Sequence, residues 1–472
     1  MSRSRATRFG RAGLLLPLLL ATSCAAVPDL GPRPLPASAS SYASAQSLAA
    51  TPAAWPADGW WKAYHDPQLD RLIGEGLSGS TDLAAALARF HGAQGLAQQA
   101  GAALLPRVDA TASVDYSKQS ENLAGHSDTG WNALGTSGLS LNLDLDLFGR
   151  NRAALRAAKK DAEASRYELD ESRLLITTGI ASTYADLAAL YAQRDNLEAA
   201  LDIRTKTLKF VRGRYDAGVE TIDAVRQAEA RVPQTRGDIA ATEEAIMLGK
   251  HALAALVGAG PDRALTIDRP QIALEAQGIP ADASINLIGR RADIAAARTR
   301  VEAAADRIKE ARAAFYPDIN IGALAGFSAL GLGNLFKGDS GFASVSPAVT
   351  LPIFHGGALQ GQYRGRRGQY DEAVATYDGQ VIQALRETAD AVTSKRQLAE
   401  RLGQSRAALV AYEDALSVAQ GRYEQGLTDY LTVLVAQESV VNQRLALAQL
   451  ESRAFTLDVQ LVRSLGGGFD AA

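Results

Sequence analysis

Two stretches of this chain, 211 residues apart, repeat one pattern. DLAAALAR begins at Asp82 and leads to Leu104-Leu105-Pro106; DIAAARTR begins at Asp293 and leads to Phe315-Tyr316-Pro317. Each proline is followed by an alternating stretch and then a turn, Phe148-Gly149 in one half and Phe354 to Gly357 in the other. Further along, RYDAGVETIDAVRQAEA from Arg214 is answered by RYEQGLTDYLTVLVAQES from Arg422. The offsets are 317−106=211, 354−148=206 and 422−214=208, so whole blocks recur in one order. That is a duplicated architecture, and each half has to be read as a unit before a fold is assigned.

The strand signal follows each proline. Val108 to Tyr116 alternates with a period of about two. From Ser137 to Leu147 the alternation is cleaner, with Leu139, Leu141, Leu143, Leu145 and Leu147 on one face and Ser140, Asn142, Asp144 and Asp146 on the other. A soluble sheet with one wet face has the same period. Strands of about ten residues, apolar on one side and acidic on the other, suit a barrel with lipid outside and water inside. Asp144 and Asp146 then become candidate lumen residues. In the second half, Asp318 to Phe327 and Phe342 to Ile353 alternate more weakly and are joined by a Gly-rich loop containing Leu332, Leu335 and Phe336. A soluble hairpin accounts for that pattern by itself; its position in the repeat favours a membrane pair.

The helical signal is unusually long. Arg150 to Tyr215 and Ala358 to Tyr423 carry no proline, and about 65 residues at about 1.5 Å each make close to 100 Å. Ile176, Ile180, Tyr184, Leu187 and Tyr191 form a stripe at three- and four-residue steps. Such helices point to coiled coils or tubes. Gly218 and Gly426 follow them and read as hairpin tips, each succeeded by a returning helix, in which Pro233 is predicted to cause a kink or a break.

The amino terminus reads as an export signal. Arg3, Arg5, Arg8 and Arg11 precede an apolar run, Gly13 to Ala21, too short to span a bilayer. Ala21-Thr22-Ser23-Cys24 looks like a lipobox, making Cys24 the candidate lipidation site, with an incidental cysteine as the plainer reading. Ala25 after it favours the outer membrane. The Pro-rich stretch with Pro28, Pro32, Pro34 and Pro36 reads as an extended tether, and Trp60-Trp61 as packing in a core or interface. A net charge of −3 leaves no polybasic footprint for nucleic acid. Five scattered histidines and the absence of nucleophile or phosphate motifs argue against an enzyme, a metal centre or a cofactor. The predicted division is a signal peptide at 1–23, a tether at 24–58, a first repeat at 59–265, a connector at 266–285, a second repeat at 286–466 and a tail at 467–472. Within the repeats lie β-hairpins at 107–147 and 318–353 and long helical hairpins at 150–257 and 358–465.

Each half supplies two membrane-length strands, so a chain supplies four. Single-chain transmembrane barrels start at about eight strands, and open edges are not tolerated in lipid. If the strands span a membrane, the chain must oligomerise. Two chains would give eight strands, whose interior side chains largely fill; three would give twelve and a lumen.

These residues carry a resemblance to the TolC-like outer-membrane efflux proteins, lipoprotein NodT/OprM branch, over about residues 55 to 465. Its marks are WKAYHDPQL from Trp61, LDLFG from Leu145, Tyr215 with Gly218, Arg290-Arg291-Ala292-Asp293-Ile294, Ala313 to Pro317, Leu351 to Phe354 with Gly356-Gly357, and Tyr423 with Gly426. Ala292 stands where the family usually has proline. The resemblance implies a mainly α chain with a transmembrane β-barrel portion, assembled as a homotrimer with a twelve-stranded barrel and an α-helical barrel. It implies a passive exit channel that docks to a periplasmic adaptor and an inner-membrane resistance-nodulation-division pump. A type I secretion conduit and a periplasmic adaptor lipoprotein are the alternatives; adaptors normally carry one helical hairpin, not two full repeats. Candidate gate residues at the tips are Tyr215, Glu220, Asp223, Tyr423 and Asp429, and Gly218 and Gly426 are candidate adaptor contacts.

Overall fold

A computed structural model describes residues 26–38, 41–49, 53–118, 130–271 and 289–470. Cys24, the expected signal peptide and most of the expected connector lie outside the described residues.

The first half contains a 3₁₀ turn at Trp60–Tyr64, helices α1 (Pro67–Gly79) and α2 (Thr81–Ala102), strands β1 (Arg107–Lys118) and β2 (Trp131–Asp144), and helices α3 (Arg150–Asp216) and α4 (Ile222–Leu256). The second contains α5 (Ala292–Ala313), β3 (Asp318–Leu330), β4 (Gly341–Thr350), α6 (Ala358–Glu424) and α7 (Tyr430–Ser464). The duplication survives residue for residue. Helices α3 and α6 are each 67 residues long, and α4 and α7 are each 35. Their starts are offset by 358−150=208 and 430−222=208.

The same end signals set these lengths. At the end of α3 the N–H of Gly218 donates to the carbonyl of Tyr215 and that of Val219 to Arg214, at 2.9 and 3.0 Å. At the end of α6, Gly426 and Leu427 repeat both bonds to Tyr423 and Arg422, at 3.0 and 2.8 Å. This is the Schellman closure, which needs a left-handed residue at the turn; φ is +74° at Gly218 and +72° at Gly426. The returning helices then start on side-chain caps, Thr221 Oγ1 accepting from Ala224 N–H and Asp429 Oδ1 from Thr432 N–H.

Of the kink or break predicted at Pro233, the break does not occur, and helix α4 runs through that residue. An interior proline costs about 3 kcal/mol by removing one ladder bond and crowding the preceding turn. Around it, Val225, Ala228, Val232 and Thr235 are buried, and that packing holds the helix together.

The chain divides into two compact units. The first comprises the described residues up to Pro36 with Arg89–Ser165 and Ala297–Tyr377. It contains the single antiparallel sheet of the described residues, in the order β1-β2-β3-β4. The tether is not loose here: Arg367 donates to the carbonyls of Gly31 and Pro32, and Tyr370 Oη to that of Pro34.

The second unit comprises the described parts of Ala37–Ala88, Arg166–Ala296 and Asp378–Ala472. Its core joins Trp60 and Tyr64, Leu69, Leu72 and Ile73 of α1, the expected α3 stripe of Ile176, Ile180, Tyr184, Leu187 and Tyr191, Ile246 and Leu253 of α4, and Phe455, Val459 and Val462 of α7. Polar groups are pinned within it. Asp66 caps α1 through Gln68 N–H at 2.8 Å and accepts from Tyr184 Oη at 2.7 Å. Asp458 accepts from Tyr64 Oη at 3.0 Å and pairs with Lys395 at 2.7 Å.

The start of α5 is fixed by a buried arginine. Arg291 is bidentate to Asp293 at 3.0 and 2.6 Å and reaches Glu387 of α6 at 2.9 Å and the Ser464 carbonyl at 3.1 Å. Ala292 begins the helix, the position where proline is also favoured. Glu171 of α3 shares this neighbourhood. Burial, then repulsion from Asp293 and Glu387, outweighs attraction to Arg291 and Arg463 and pushes its carboxyl up to about 7. A group raised in this way adds stability in full below its unfolded value, near pH 4.5, and that contribution is lost as pH rises through about 7. Glu171→Gln is therefore expected to be more stable than the wild type at pH 8, by about 2–3 kcal/mol, with the gap closing towards pH 4.5. Denaturant unfolding at several pH values measures this; a variant no more stable at pH 8 contradicts it.

Candidate functional site

The sheet has two chemically opposite faces, and its register shows them more clearly than the sequence does. Directly opposed residues share a face. Val108, Leu141 and Ala323 fall in one row, as do Ala110, Leu139, Ala325 and Ala343. With Val114, Tyr116, Leu143, Ile319, Ile321, Phe327, Val345 and Val349 they make one face almost wholly apolar. The other face is mostly polar, with Asp109, Thr111, Ser113, Asp115, Thr136, Ser140, Asn142, Asp144, Asn320, Ser328, Ser344 and Ser346, interrupted by Leu134, Leu324, Leu330 and Phe342. The weak alternation of the second half is thus brought into line by its pairing with the first. Many apolar side chains of this face are exposed within the chain, Val345 at 72 % and Val349 at 67 % among them. In water that is costly at about 25 cal/mol per Å²; in lipid it is not.

Aromatic pairs lie at both ends of the strands. Tyr116 stacks on Trp131 at 5.3 Å at the end far from the helices, and Phe148 stacks on Tyr316 at 5.0 Å where the strands meet the helices. Paired girdles of this kind mark the two interfaces of a membrane barrel. Between β2 and β3, Gly138 faces Gly326. A Cβ at Gly138 would come within 2.8 Å of the Ala325 carbonyl, so two glycines let the central strands approach closely.

The predicted lumen acids differ from one another. Asp144 ends β2 on the polar face, and its carboxylate accepts from Arg150 at 3.2 Å and Asn151 at 2.7 Å, while Arg150 also reaches Asp318 at 3.0 Å. Asp146 is not a strand residue. The alternation read to Leu147 stops at Asp144, because the chain turns at Asp146 with φ of 44°. Its side chain is 6 % exposed, accepting from the N–H groups of Asn151 and Arg152 at 2.8 and 3.0 Å. It holds the first turn of α3, where a carboxylate is favoured.

At the other end of the long helices, within the second unit, the two hairpin tips pack on one another. Val211 of α3, Val225 and Ala228 of α4, Tyr423 of α6, and Tyr430, Val433 and Leu434 of α7 form a cluster. The two repeats diverge here. Tyr423 is 3 % exposed and its counterpart Tyr215 is 42 % exposed. Tyr423 Oη donates to Glu220 at 2.5 Å, and Arg214 donates to the Tyr423 carbonyl at 3.3 Å with its guanidinium 4.6 Å from that ring. Burial, then the Glu220 carboxylate, raises the Tyr423 hydroxyl well above its ordinary range. Glu220 is thus a tie between hairpins; its side chain is 11 % exposed. Further ties are Gln437 to Thr207 at 3.0 Å and Arg204 to Glu438 at 3.4 Å. Asp223 accepts from Gln227 of its own helix at 2.8 Å. Asp429 is the cap of α7, and its bonds from Thr432 lower its carboxyl. Gly218 and Gly426 face open space. Sequence reasoning missed Arg214, although its place in the repeated Arg-Tyr motif was a signal that could have found it.

A two-faced sheet with open edges among the described residues, in a chain that also carries paired helical hairpins, defines the class: one subunit of an oligomeric membrane channel. The outer membrane efflux protein family model matches residues 72–259 and 285–467, and the chain belongs to that family. It is 33 % identical over 428 residues to the multidrug resistance outer membrane protein MdtP of Shigella flexneri, covering 89 % of this chain and 88 % of that one. To the pyoverdine export outer membrane protein OpmQ of Pseudomonas aeruginosa it is 30 % identical over 418 residues, covering 87 % and 88 %. The crystal structure of the outer membrane protein VceC of Vibrio cholerae matches with a TM-score of 0.85 at 44 % identity, covering 88 % of this chain and 100 % of that one. The protein is an outer-membrane protein, and the reading as a periplasmic adaptor is set aside.

The two faces predict opposite responses to charge. Val345→Arg on the apolar face is expected to cost about 2–4 kcal/mol in lipid and to lower the amount of protein assembled in the outer membrane. Ser346→Arg on the polar face is expected to leave assembly unchanged. Quantifying heat-resistant protein in outer-membrane fractions checks this, and equal losses from both would contradict it.

Proposed function

We propose that the chain is one subunit of a homotrimeric exit channel in a tripartite efflux system. The carrying observation is the two-faced sheet whose edge strands, β1 and β4, have no strand partner among the described residues. Three copies would pair β4 of one with β1 of the next and close twelve strands, apolar outside and polar inside. Residues 59–265 and 286–466 would be the two halves of each subunit. Cys24 would carry the lipid that anchors it, since chain plus barrel hold a membrane better than one acyl group.

The channel would be passive. Small toxic compounds or drugs would be handed to it by an inner-membrane pump of the resistance-nodulation-division class through a periplasmic adaptor. The names of MdtP and OpmQ support export of small molecules as the role. The tips offer the adaptor a surface: Gly218 and Gly426 in open space, with Tyr215, Val219 and Leu427 exposed beside them at 42, 58 and 62 %. In the trimer, three tip pairs would surround the axis, bringing Asp223 and Asp429 of each copy into a ring that repels itself and attracts cations.

Opening such a mouth would require the two hairpins of each subunit to part, and the Glu220–Tyr423–Arg214 tie resists that. A buried hydrogen bond to a charged group contributes about 1.5–3 kcal/mol. Tyr423→Phe with Arg214→Ala is therefore expected to raise the open fraction at least about tenfold. Single-channel recording in planar bilayers measures it. Failure of the wild-type protein to form any pore would overturn the channel reading, and an unchanged open fraction in the variant would overturn the tie as the gate.

A further inference from the structure

The loop from Gly331 to Gly341, between β3 and β4, lies at the strand end far from the helices. A loop in that place can fold inward over the lumen or outward over the lipid face. Here it folds outward. Gly331 N–H donates to the Ala133 carbonyl at 2.8 Å, which starts the loop back over β2. A Cβ built on Gly135 would lie 3.0 Å from Leu332 Cδ2 and 3.3 Å from Leu335 Cδ2. By register, Gly135 stands opposite Val114 and Ala329, on the apolar face. Phe336 then meets Phe327 of the same face edge-on, with ring centres 5.8 Å apart. It overhangs a shallow apolar groove floored by Ala110, Leu139, Ala325 and Ala343.

The loop's own chemistry suits lipid. Leu332 is 52 % and Phe336 74 % exposed, an arrangement with no rationale in water. Several of its polar groups are bonded internally. Asn334 and Leu335 N–H donate to the carbonyls of Gly331 and Leu332, and Lys337 and Ser340 N–H to those of Asn334 and Lys337. Ser340 Oγ reaches the Asn334 carbonyl at 2.8 Å and Lys337 Nζ the Asn334 side chain at 2.6 Å. A segment immersed in hydrocarbon must satisfy its backbone in this way.

We propose that the β3–β4 loop is a lipid anchor and not a lid over the channel: Leu332 and Phe336 insert among the acyl chains of the surrounding leaflet, and an acyl chain occupies the groove under Phe336. The groove is continuous with the apolar face and crosses all four strands, from Ala110 of β1 to Ala343 of β4. The inference rests on the reading of the sheet as membrane-spanning, and the test separates the two.

Full-length protein carrying Phe336→Cys, Leu332→Cys, Val345→Cys or Ser346→Cys would be labelled with bimane and reconstituted in vesicles whose acyl chains are dibrominated. Wild-type protein labelled in parallel accounts for Cys24, the only native cysteine. Bromine quenches on contact with acyl chains and iodide quenches from water. Bromine quenching at Phe336→Cys and Leu332→Cys, as strong as at Val345→Cys, with iodide protection, is expected. If both loop positions respond to iodide while Val345→Cys responds to bromine, the loop is in water and the anchor is overturned. If Val345→Cys itself fails to respond to bromine, it is the membrane reading of the sheet that falls.

Discussion

The structure depends on two sheet edges whose backbone groups have no strand partner among the described residues. Strands β1 and β4 are the edges of a four-stranded sheet, and in lipid an unpaired peptide group costs several kcal/mol. An apolar face over all four strands commits the sheet to lipid, and the edges then commit the chain to copies of itself. Neither condition alone would do so. A polar sheet with open edges could stand in water, and an apolar sheet could be covered by a helix.

Side-chain contacts at the strand–helix junction hold that sheet. Asp146 fixes the first turn of α3, and Arg150 ties Asp144 at the end of β2 to Asp318 at the start of β3. The junction of strand and helix is therefore built from the acids that look, in sequence, like lumen lining. At the far ends the repeats close with the same Schellman glycines and reopen with caps at Thr221 and Asp429. Equal helix lengths follow from equal stop and start signals.

How much of this was legible in the sequence depends on the range of the interaction. The helix stripe from Ile176 to Tyr191, the hairpin glycines and the alternation of Leu139, Leu141 and Leu143 are local patterns that appear as read, while Leu145 and Leu147 lie past the end of β2. The second strand pair was weaker because Ala323 and Ala325 carry little hydropathy signal; only opposite Leu141 and Leu139 does their face become plain. Helix α4 outlasted Pro233 because packing outweighed local propensity. The tips were the least legible. Tyr215 and Tyr423 are equivalent in sequence, yet one is exposed and the other buried against the opposite hairpin. A duplicated sequence cannot say which copy turns inward, since that is decided between the copies.

With four strands per subunit and both edges open, one chain would supply a third of a closed barrel. Native mass spectrometry of the full-length protein, released from detergent micelles, tests it most directly. A single assembly with three times the mass of the processed chain is expected. A stable monomer or dimer that nevertheless conducts ions would contradict it.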